Sequence, residues 1–266
     1  MAVLSPGTGD DPALQVVGLS CRFGGVRAVS DVTLAVPSGQ RRAFVGPNGA
    51  GKTTLFNLIS GEAVPSAGRV EVFGRNITAL PVRKRIRLGL TRTYQTSRLF
   101  SSLLVSENLY LAVLGKQGRY LQPLRTARDQ DLWAQARAMA ARVGLGDRLD
   151  AAAGSLSHGE QRQLEVAVAL AGRPRILMLD EPAAGLSPAE RELLTDLLLS
   201  LDKAITVLLV EHDMDVALRV AGWVTVMHEG RVVAEGSPAE IRASQQVHDL
   251  YLGRAHSSGQ GADARD

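Results

Sequence analysis

Apolar and polar residues alternate in two different ways along the chain. Between residues 14 and 45, short runs rich in Val, Leu and Phe are separated by turn-forming residues at 23–25 and 37–39. These runs predict an antiparallel meander that leads into one central strand at residues 41–45. Another short strand pattern follows at residues 69–73.

The second half of the chain alternates helix and strand patterns. The predicted helices cover residues 157–171 and 188–201, and the predicted apolar strands cover residues 175–180 and 205–210. This alternation predicts an α/β fold with a parallel sheet buried on both faces. Residues 83–147 lack it and contain long helical stretches, most clearly at 131–143. The helical segment is therefore predicted to be inserted into the α/β core.

Composition excludes several classes of protein. The 266 residues are 45% hydrophobic and 21% charged, which is typical of a folded chain rather than a disordered one. A net charge of +3 gives no reason to expect a dedicated nucleic-acid binder. The apolar run at 204–210 is far shorter than the roughly 20 residues that span a bilayer. The single cysteine, Cys21, cannot form an internal disulfide, which favours a reducing compartment.

The segment after the predicted central strand matches the phosphate-loop pattern G-x-x-x-x-G-K-[ST]. Its residues are Gly46, Pro47, Asn48, Gly49, Ala50, Gly51, Lys52, Thr53 and Thr54. The pattern follows a predicted strand and opens a predicted helix at residues 51–60, which is the context it requires. Backbone N–H groups and the helix N-terminus would hold phosphate oxygens. Lys52 is expected to reach the β- and γ-phosphates, and Thr53 is expected to bind Mg²⁺.

Two acids end the apolar strand pattern at residues 175–180. Asp180 is expected to hold Mg²⁺ indirectly, through water or Thr53. Glu181 is expected to polarise the attacking water as a general base. Successive residues of a strand point to opposite faces, so the two carboxylates need not share one role.

A third motif, LSHGEQR at residues 156–162, has Ser157 at a good N-cap position and Glu160 three residues later. That spacing predicts a capping box. Together with the phosphate loop, a lone Gln95, the acids at 180–181 and a final Glu211-His212-Asp213, it follows the motif order of ABC transporter ATPases. Residues 13–253 resemble that family, which implies an ABC ATPase core with an antiparallel β subdomain and an inserted helical subdomain.

The resemblance implies a division of the chain into segments. The expected boundaries are a flexible tail at 1–12, the core and β subdomain at 13–88 and 163–253, the helical subdomain at about 89–162, and a second flexible tail at 254–266.

The resemblance also implies roles for residues outside the phosphate loop. Ser157, Gly159 and Glu160 would cap the ATP of a partner subunit, with His158 where the family usually has glycine and Glu160 where it usually has Gln. Phe23 would stack on adenine. Gln95 would contact Mg²⁺ or the attacking water, and His212 would contact the γ-phosphate and orient Glu181.

A narrower resemblance is to the ATPases of branched-chain amino-acid importers, and to the larger of their two ATPase types. It lies in the segments 92–95 (RTYQ), 98–100 (RLF), 107–109 (ENL), 156–162, 210–214 (VEHDM) and 251–253 (YLG). Alternatives are importers of urea or amides and exporters of lipopolysaccharide-type lipids. Soluble ABC proteins of repair or translation usually carry two cassettes or large insertions, and a small-molecule kinase has no need for the LSHGE motif.

The resemblance implies a peripheral protein on the cytoplasmic face of the inner membrane. Its partners would be two membrane permeases, a second ATPase of the same or a different kind, and indirectly a substrate-binding protein, but no nucleic acid. Arg98, Leu99, Phe100 and Leu104 are expected to line the groove that receives the permeases. The basic run at 83–87 is expected to be a solvated helix face, with contact to anionic lipid as the alternative.

Overall fold

The computed structural model describes residues 12–93, 99–116 and 127–252. Its strands are β1 (Leu14–Phe23), β2 (Val26–Val36), β3 (Arg41–Val45), β4 (Ala67–Val72), β5 (Arg75–Asn76), β6 (Leu90–Arg92), β7 (Ile176–Asp180), β8 (Thr206–Val210), β9 (Trp223–His228) and β10 (Arg231–Gly236). Its helices are α1 (Lys52–Ser60), α2 (Val82–Arg87), α3 (Val105–Lys116), α4 (Ala127–Arg142), α5 (His158–Ala171), α6 (Pro188–Leu199), α7 (Met214–Val220), α8 (Pro238–Ala243) and α9 (Gln245–Leu252). Gln95, Arg98 and nearly all of both predicted tails lie outside the described residues.

Two sheets carry these strands. One has six strands in the order β10-β9-β3-β8-β7-β6, and every neighbouring pair in it is parallel except β10 and β9. The other has four antiparallel strands in the order β2-β1-β4-β5. This arrangement confirms the predicted α/β fold with a parallel sheet and an N-terminal antiparallel β region. Strand β6 pairs with β7, so the parallel sheet includes residues that the sequence assigned to the helical subdomain.

The parallel sheet is buried on both faces, as its continuous apolar strands predict. In β7, Ile176 and Met178 join the core cluster that contains Leu55 and Phe56 of α1. Leu177 and Leu179 face the other way and join the core cluster that contains residues of α5 and α6. Because consecutive side chains of a strand point to opposite faces, one short strand serves two cores.

The predicted helical insertion is present as α3 and α4, which pack against each other and against α5. Val105 and Leu109 of α3 are completely buried, as is Ala136 of α4. The rings of Tyr110 and Trp133 stack between these two helices with centroids 4.4 Å apart. Within the described ranges, no helix combines the length and the apolar character needed to cross a membrane.

The basic run at 83–87 differs from the prediction at one residue. Arg85 is 1% exposed, although its helix α2 is otherwise basic and largely solvent-facing. Its guanidinium donates to four backbone carbonyls, those of Leu58, Ile59, Thr78 and Leu80, at 2.7 to 2.8 Å. Two of these carbonyls belong to the last turn of α1, where helix geometry leaves them without intrahelical donors. Arg85 therefore closes the end of α1, and neither a solvated face nor a lipid contact describes it.

Replacing Arg85 with Met should lower the free energy of unfolding by about 3 kcal/mol or more, since each buried carbonyl left without a donor costs about 1–3 kcal/mol. Chemical denaturation measures the change. Arg83→Met on the exposed side of the same helix is the matched control and should shift stability by less than about 0.5 kcal/mol. Equal effects of the two variants would contradict the assigned role of Arg85.

Candidate active site

Backbone crowding determines the shape of the phosphate loop. Gly46, Gly49 and Gly51 have φ angles of 147°, 82° and 98°. A Cβ atom on Gly46 would lie 2.1 Å from the carbonyl oxygen of Met227, and one on Gly51 would lie 2.3 Å from that of Ala28. Side chains other than hydrogen do not fit at either position. The loop therefore curls against β9 and the first β-hairpin, and α1 begins directly after it.

Most of the predicted phosphate-binding residues line a cavity of about 470 Å³ in front of this loop. A second cavity, of about 730 Å³, shares no lining residue with it. The predicted residues in the wall of the first cavity are Asn48, Gly49, Ala50, Gly51, Lys52, Thr53, Thr54 and Glu181. Gly46 and Pro47 were also predicted but do not line the cavity; their carbonyl oxygens accept hydrogen bonds from Lys52. The wall also contains Val26, Arg27, Ala28 and Glu229, which the sequence motifs did not indicate.

Lys52 is buried at the start of α1, with 6% of its surface exposed. Its Nζ donates to Gly46 O at 2.7 Å and to Pro47 O at 3.1 Å, so the loop itself holds the amine in place. Burial lowers the pKa of this amine, while the carboxylates of Glu181 and Asp180 act to raise it. A cation held in this way is suited to bind an anionic group such as a phosphate.

Asp180 forms a buried ion pair that sequence reasoning did not find. Its Oδ2 lies 2.6 Å from a guanidinium nitrogen of Arg92, and the two side chains are 1% and 5% exposed. Burial raises the pKa of the Asp180 carboxyl, and the Arg92 guanidinium opposes that rise. The same guanidinium donates to Asn57 Oδ1 at 2.6 Å in the last turns of α1. Arg92 thus joins the end of β7 to the helix that starts at the phosphate loop.

The other oxygen of Asp180 is relevant to a metal ion. Among the described residues, buried Oδ1 accepts no hydrogen bond. No cluster of three or more His, Cys, Asp or Glu in the described ranges could hold a metal ion alone. Mg²⁺ bound with nucleotides usually takes one or two protein ligands, while phosphates and water supply the rest. The uncommitted oxygen of Asp180 and the Thr53 hydroxyl in the cavity wall fit that donor set.

Glu181 begins a strained turn immediately after β7. Its φ is 49°, which is uncommon for a residue with a side chain and costs about 1–3 kcal/mol. Its N–H donates to Val210 O at 2.8 Å, and its carbonyl accepts from Ala184 N at 3.1 Å. The backbone therefore turns the Glu181 side chain into the cavity that Lys52 also lines.

Glu211 connects the loop that follows Glu181 with the loop that carries His212. Glu211 is completely buried, and its carboxylate accepts from Ala183 N at 2.9 Å and from His212 N at 3.2 Å. Burial raises the pKa of this carboxyl. The His212 side chain itself is 56% exposed. Glu211, for which the sequence suggested no role, thus ties the loop after Glu181 to the loop that carries the histidine.

The LSHGE segment forms the predicted capping box at the start of α5. Ser157 Oγ accepts from Glu160 N at 3.2 Å, and Glu160 Oε2 accepts from Ser157 N at 2.8 Å. Ser157, Gly159 and Glu160 do not line the phosphate-loop cavity of the described structure. The described chain therefore keeps this segment apart from its own phosphate loop.

Phe23 lies at the end of β1, one tight turn before Val26 in the cavity wall. It is 56% exposed, which is unusual for a phenylalanine in a small core-forming sheet. Its placement is compatible with the predicted role of stacking on a flat ring. Gln95 lies outside the described residues, so its predicted role stays a prediction.

Comparison with known proteins identifies the family. A family model described as "ABC transporter" matches residues 29–184, and one described as "Branched-chain amino acid ATP-binding cassette transporter" matches residues 231–257. The chain is 39% identical to the high-affinity branched-chain amino acid transport ATP-binding protein BraF of Pseudomonas aeruginosa, over 92% of this chain and 99% of that protein. The chain belongs to the ABC transporter family.

Other relatives agree with this assignment. LivG of Escherichia coli K12, named a high-affinity branched-chain amino acid transport ATP-binding protein, is 38% identical over 92% of this chain and 99% of LivG. The ADP conformation of MJ1267, an ATP-binding cassette of an ABC transporter, superimposes with a TM-score of 0.81 at 27% identity and covers 91% of this chain and 99% of its own. As an ABC transporter ATPase, the chain binds and hydrolyses ATP.

The Arg92–Asp180 pair gives this ABC ATPase a testable pH dependence. In Arg92→Met the Asp180 carboxyl stays buried without its cation, so its pKa rises further above the unfolded value of about 3.9. A raised folded pKa means that the native state binds more protons, so stability falls as pH rises through that pKa. Arg92→Met should lose about 3–5 kcal/mol at neutral and alkaline pH and regain part of it as the pH falls.

Urea denaturation at several pH values measures this dependence. The double variant Arg92→Met with Asp180→Asn is the control, because it has no buried carboxyl to titrate. The double variant should lose the additional pH dependence of Arg92→Met. If the two variants respond to pH alike, the ion pair is not the origin of the effect.

Proposed function

We propose that the chain is the ATP-hydrolysing subunit of an importer for branched-chain or related amino acids. The similarity to BraF and LivG over 92% of this chain, together with the match of residues 231–257 to the branched-chain family model, supports this substrate class. No residue of the chain needs to contact the amino acid, because the ATPase supplies only the work of transport. Localisation at the cytoplasmic face of the cell membrane, as a peripheral subunit, is part of the proposal.

The mechanism that we propose rests on one observation: the phosphate loop and the LSHGE segment of this chain lie apart. Lys52, Thr53 and Glu181 line one cavity, whereas Ser157 and Gly159 lie outside it. Each ATP would therefore be held between the phosphate loop of one subunit and the LSHGE segment of a second ATPase, of the same or a different kind. Closure of the two subunits on ATP is a rigid-body movement that the membrane subunits can follow.

In the closed pair, this chain's residues would divide the work at the γ-phosphate. Lys52 would neutralise the β- and γ-phosphates, and Glu181 would accept a proton from the attacking water. His212 would contact the γ-phosphate and orient Glu181, and Glu211 would position the His212 loop. Mg²⁺, bound by Thr53 and Gln95 and through water by Asp180, would supply charge neutralisation at the phosphates. Phe23 would stack on the adenine.

The permease contact that we propose lies beside β6. A cavity of about 240 Å³ there is lined by Thr91, Arg92, Thr93, Leu99, Glu165, Val168 and Ala169. Phe100, the next residue after Leu99 in the sequence, is 58% exposed. An apolar floor with an exposed aromatic beside it suits a short helix of a membrane subunit. Of the predicted groove residues, Leu99 and Phe100 support this position, and Arg98 lies outside the described residues.

Lys52→Ala should lose nearly all ATPase activity, because the buried amine that meets the phosphates is removed. Phosphate release from purified protein measures the effect. Lys203→Ala, an exposed lysine away from the cavity, is the control and should keep the parent rate. Normal turnover by Lys52→Ala would exclude the phosphate loop as the site.

Glu181→Gln should bind ATP but hydrolyse it about 10²–10⁴-fold more slowly, the usual effect of losing a general base. The ATP-bound pair should accumulate and elute earlier in gel filtration. Glu229→Gln removes a second carboxylate from the same cavity wall and should hydrolyse ATP at close to the parent rate. Comparable slowing by both changes would mean that the base is not Glu181.

Affinity purification from gently solubilised membranes of the native cell tests the transport assignment. We expect two permeases, a second ATPase and a binding protein that carries leucine, isoleucine or valine. A binding protein loaded with urea or an amide would change the substrate and keep the mechanism. Envelope-spanning export proteins would favour lipid export, and recovery with ribosomes or nucleic acid would contradict the transport role.

A further inference from the structure

One carboxylate, that of Glu190, connects the start of α6 with the LSHGE segment. Its Oε2 accepts from Ser187 N at 3.0 Å and from Ser187 Oγ at 2.9 Å, which is the capping box of α6. Its Oε1 accepts from Gly159 N at 3.0 Å and from Ser157 Oγ at 3.4 Å. Glu190 is 31 positions from Gly159 in sequence, so this contact is tertiary.

The Glu190 carboxylate lies directly against the backbone of the LSHGE segment. A Cβ atom on Gly159 would lie 2.6 Å from Glu190 Oε1 and 2.7 Å from Glu190 Cδ. Glycine at this position thus leaves the space that the carboxylate occupies. Hydrogen bonds from the Ser187 backbone, the Ser187 hydroxyl and the Gly159 backbone hold the pKa of Glu190 below its usual range. The group is therefore an anion at neutral pH.

Two further capping boxes in the described part of the chain show that a cap does not require this second contact. At the start of α8, Glu240 accepts from Ser237 N at 2.7 Å and from Ser237 Oγ at 2.8 Å through one oxygen. At the start of α5, Glu160 directs its second oxygen to the cation of Arg148 at 2.8 Å. Only at Glu190, among these three glutamates, does the second oxygen accept from Ser157 and Gly159.

The donors that Glu190 occupies are those needed by a partner's nucleotide under the proposed function. A serine hydroxyl has one proton to donate, and a backbone amide has one as well. A γ-phosphate that took these protons would also bring negative charge to within hydrogen-bond distance of an ionised carboxylate. Like charges at that separation repel each other, and the site is shielded from water as the subunits close.

We propose that Glu190 is an electrostatic gate on the LSHGE segment. In the separated subunit its carboxylate occupies the Ser157 and Gly159 donors, and the phosphates of the partner's ATP displace it when the pair closes. This inference rests on the proposed function, because it requires that ATP bridge two subunits. The gate opposes closure until ATP is bound, and so reduces closure without nucleotide.

The test uses the ATPase pair recovered in the membrane purification, with a slowly hydrolysed ATP analogue supplied as the ATP. The nucleotide facing this chain's LSHGE segment lies at the partner's phosphate loop, where a change of Glu181 in this chain would not protect it. Light scattering follows pair formation as ATP is titrated. Adding Glu190→Gln, which keeps the size of the side chain but removes its charge and one of its two acceptor oxygens, should lower the ATP concentration at half-closure at least about fivefold, the low end of ordinary coupling between sites. Glu190→Ala should act in the same direction. The matched control, Glu240→Gln, should leave the midpoint unchanged.

Salt separates a charge effect from a structural one. The advantage of Glu190→Gln should shrink as ionic strength rises, because screening weakens the repulsion that the parent carboxylate exerts. An unchanged or higher ATP midpoint for Glu190→Gln would overturn the gate and leave Glu190 a structural tie between two loops. If the parent pair forms no ATP-dependent complex at all, the proposed function itself fails, and the gate fails with it.

Discussion

The shape of the phosphate loop depends on two backbone contacts that leave no room for side chains. Gly46 lies against the Met227 carbonyl of β9, and Gly51 lies against the Ala28 carbonyl of β2. The loop is therefore packed between the parallel sheet and the antiparallel hairpin. The remaining chemistry follows from the parallel order of β3, β8, β7 and β6, because their carboxyl ends meet at one edge. That edge carries the phosphate loop, His212, the acids of 180–181 and Arg92.

Features carried by short, local patterns could be predicted from the sequence. The strand before residues 46–51 and the helix after them, the Ser157 capping box, the alternation of strand and helix and the helical insertion were all correct, and element ends differed by a few residues. Each depends on residues that are close in sequence, so their chemistry is visible in the pattern. The ATPase family could also be recognised, because the order of these motifs spans nearly the whole chain.

The residues that sequence reasoning missed act through long-range contacts. Arg85 looked like part of a solvated basic face, but it is buried because α1 ends beside it. Arg92 reaches Asp180 across 88 positions of sequence, and nothing local marks either as a pair. The role of Glu190 is hidden in the same way, since its local pattern is only that of a helix cap. Tertiary geometry assigns these three side chains, and a linear motif cannot.

These parts form a coherent ATPase subunit only if two subunits share each nucleotide. The most direct measurement of that claim is the specific ATPase activity of the purified chain across a dilution series, alone and with its partner ATPase in fixed ratio. A shared site predicts that activity per chain falls toward zero on dilution and rises again with added partner. Constant activity per chain at every concentration would show that one subunit hydrolyses ATP alone, which contradicts the proposed mechanism.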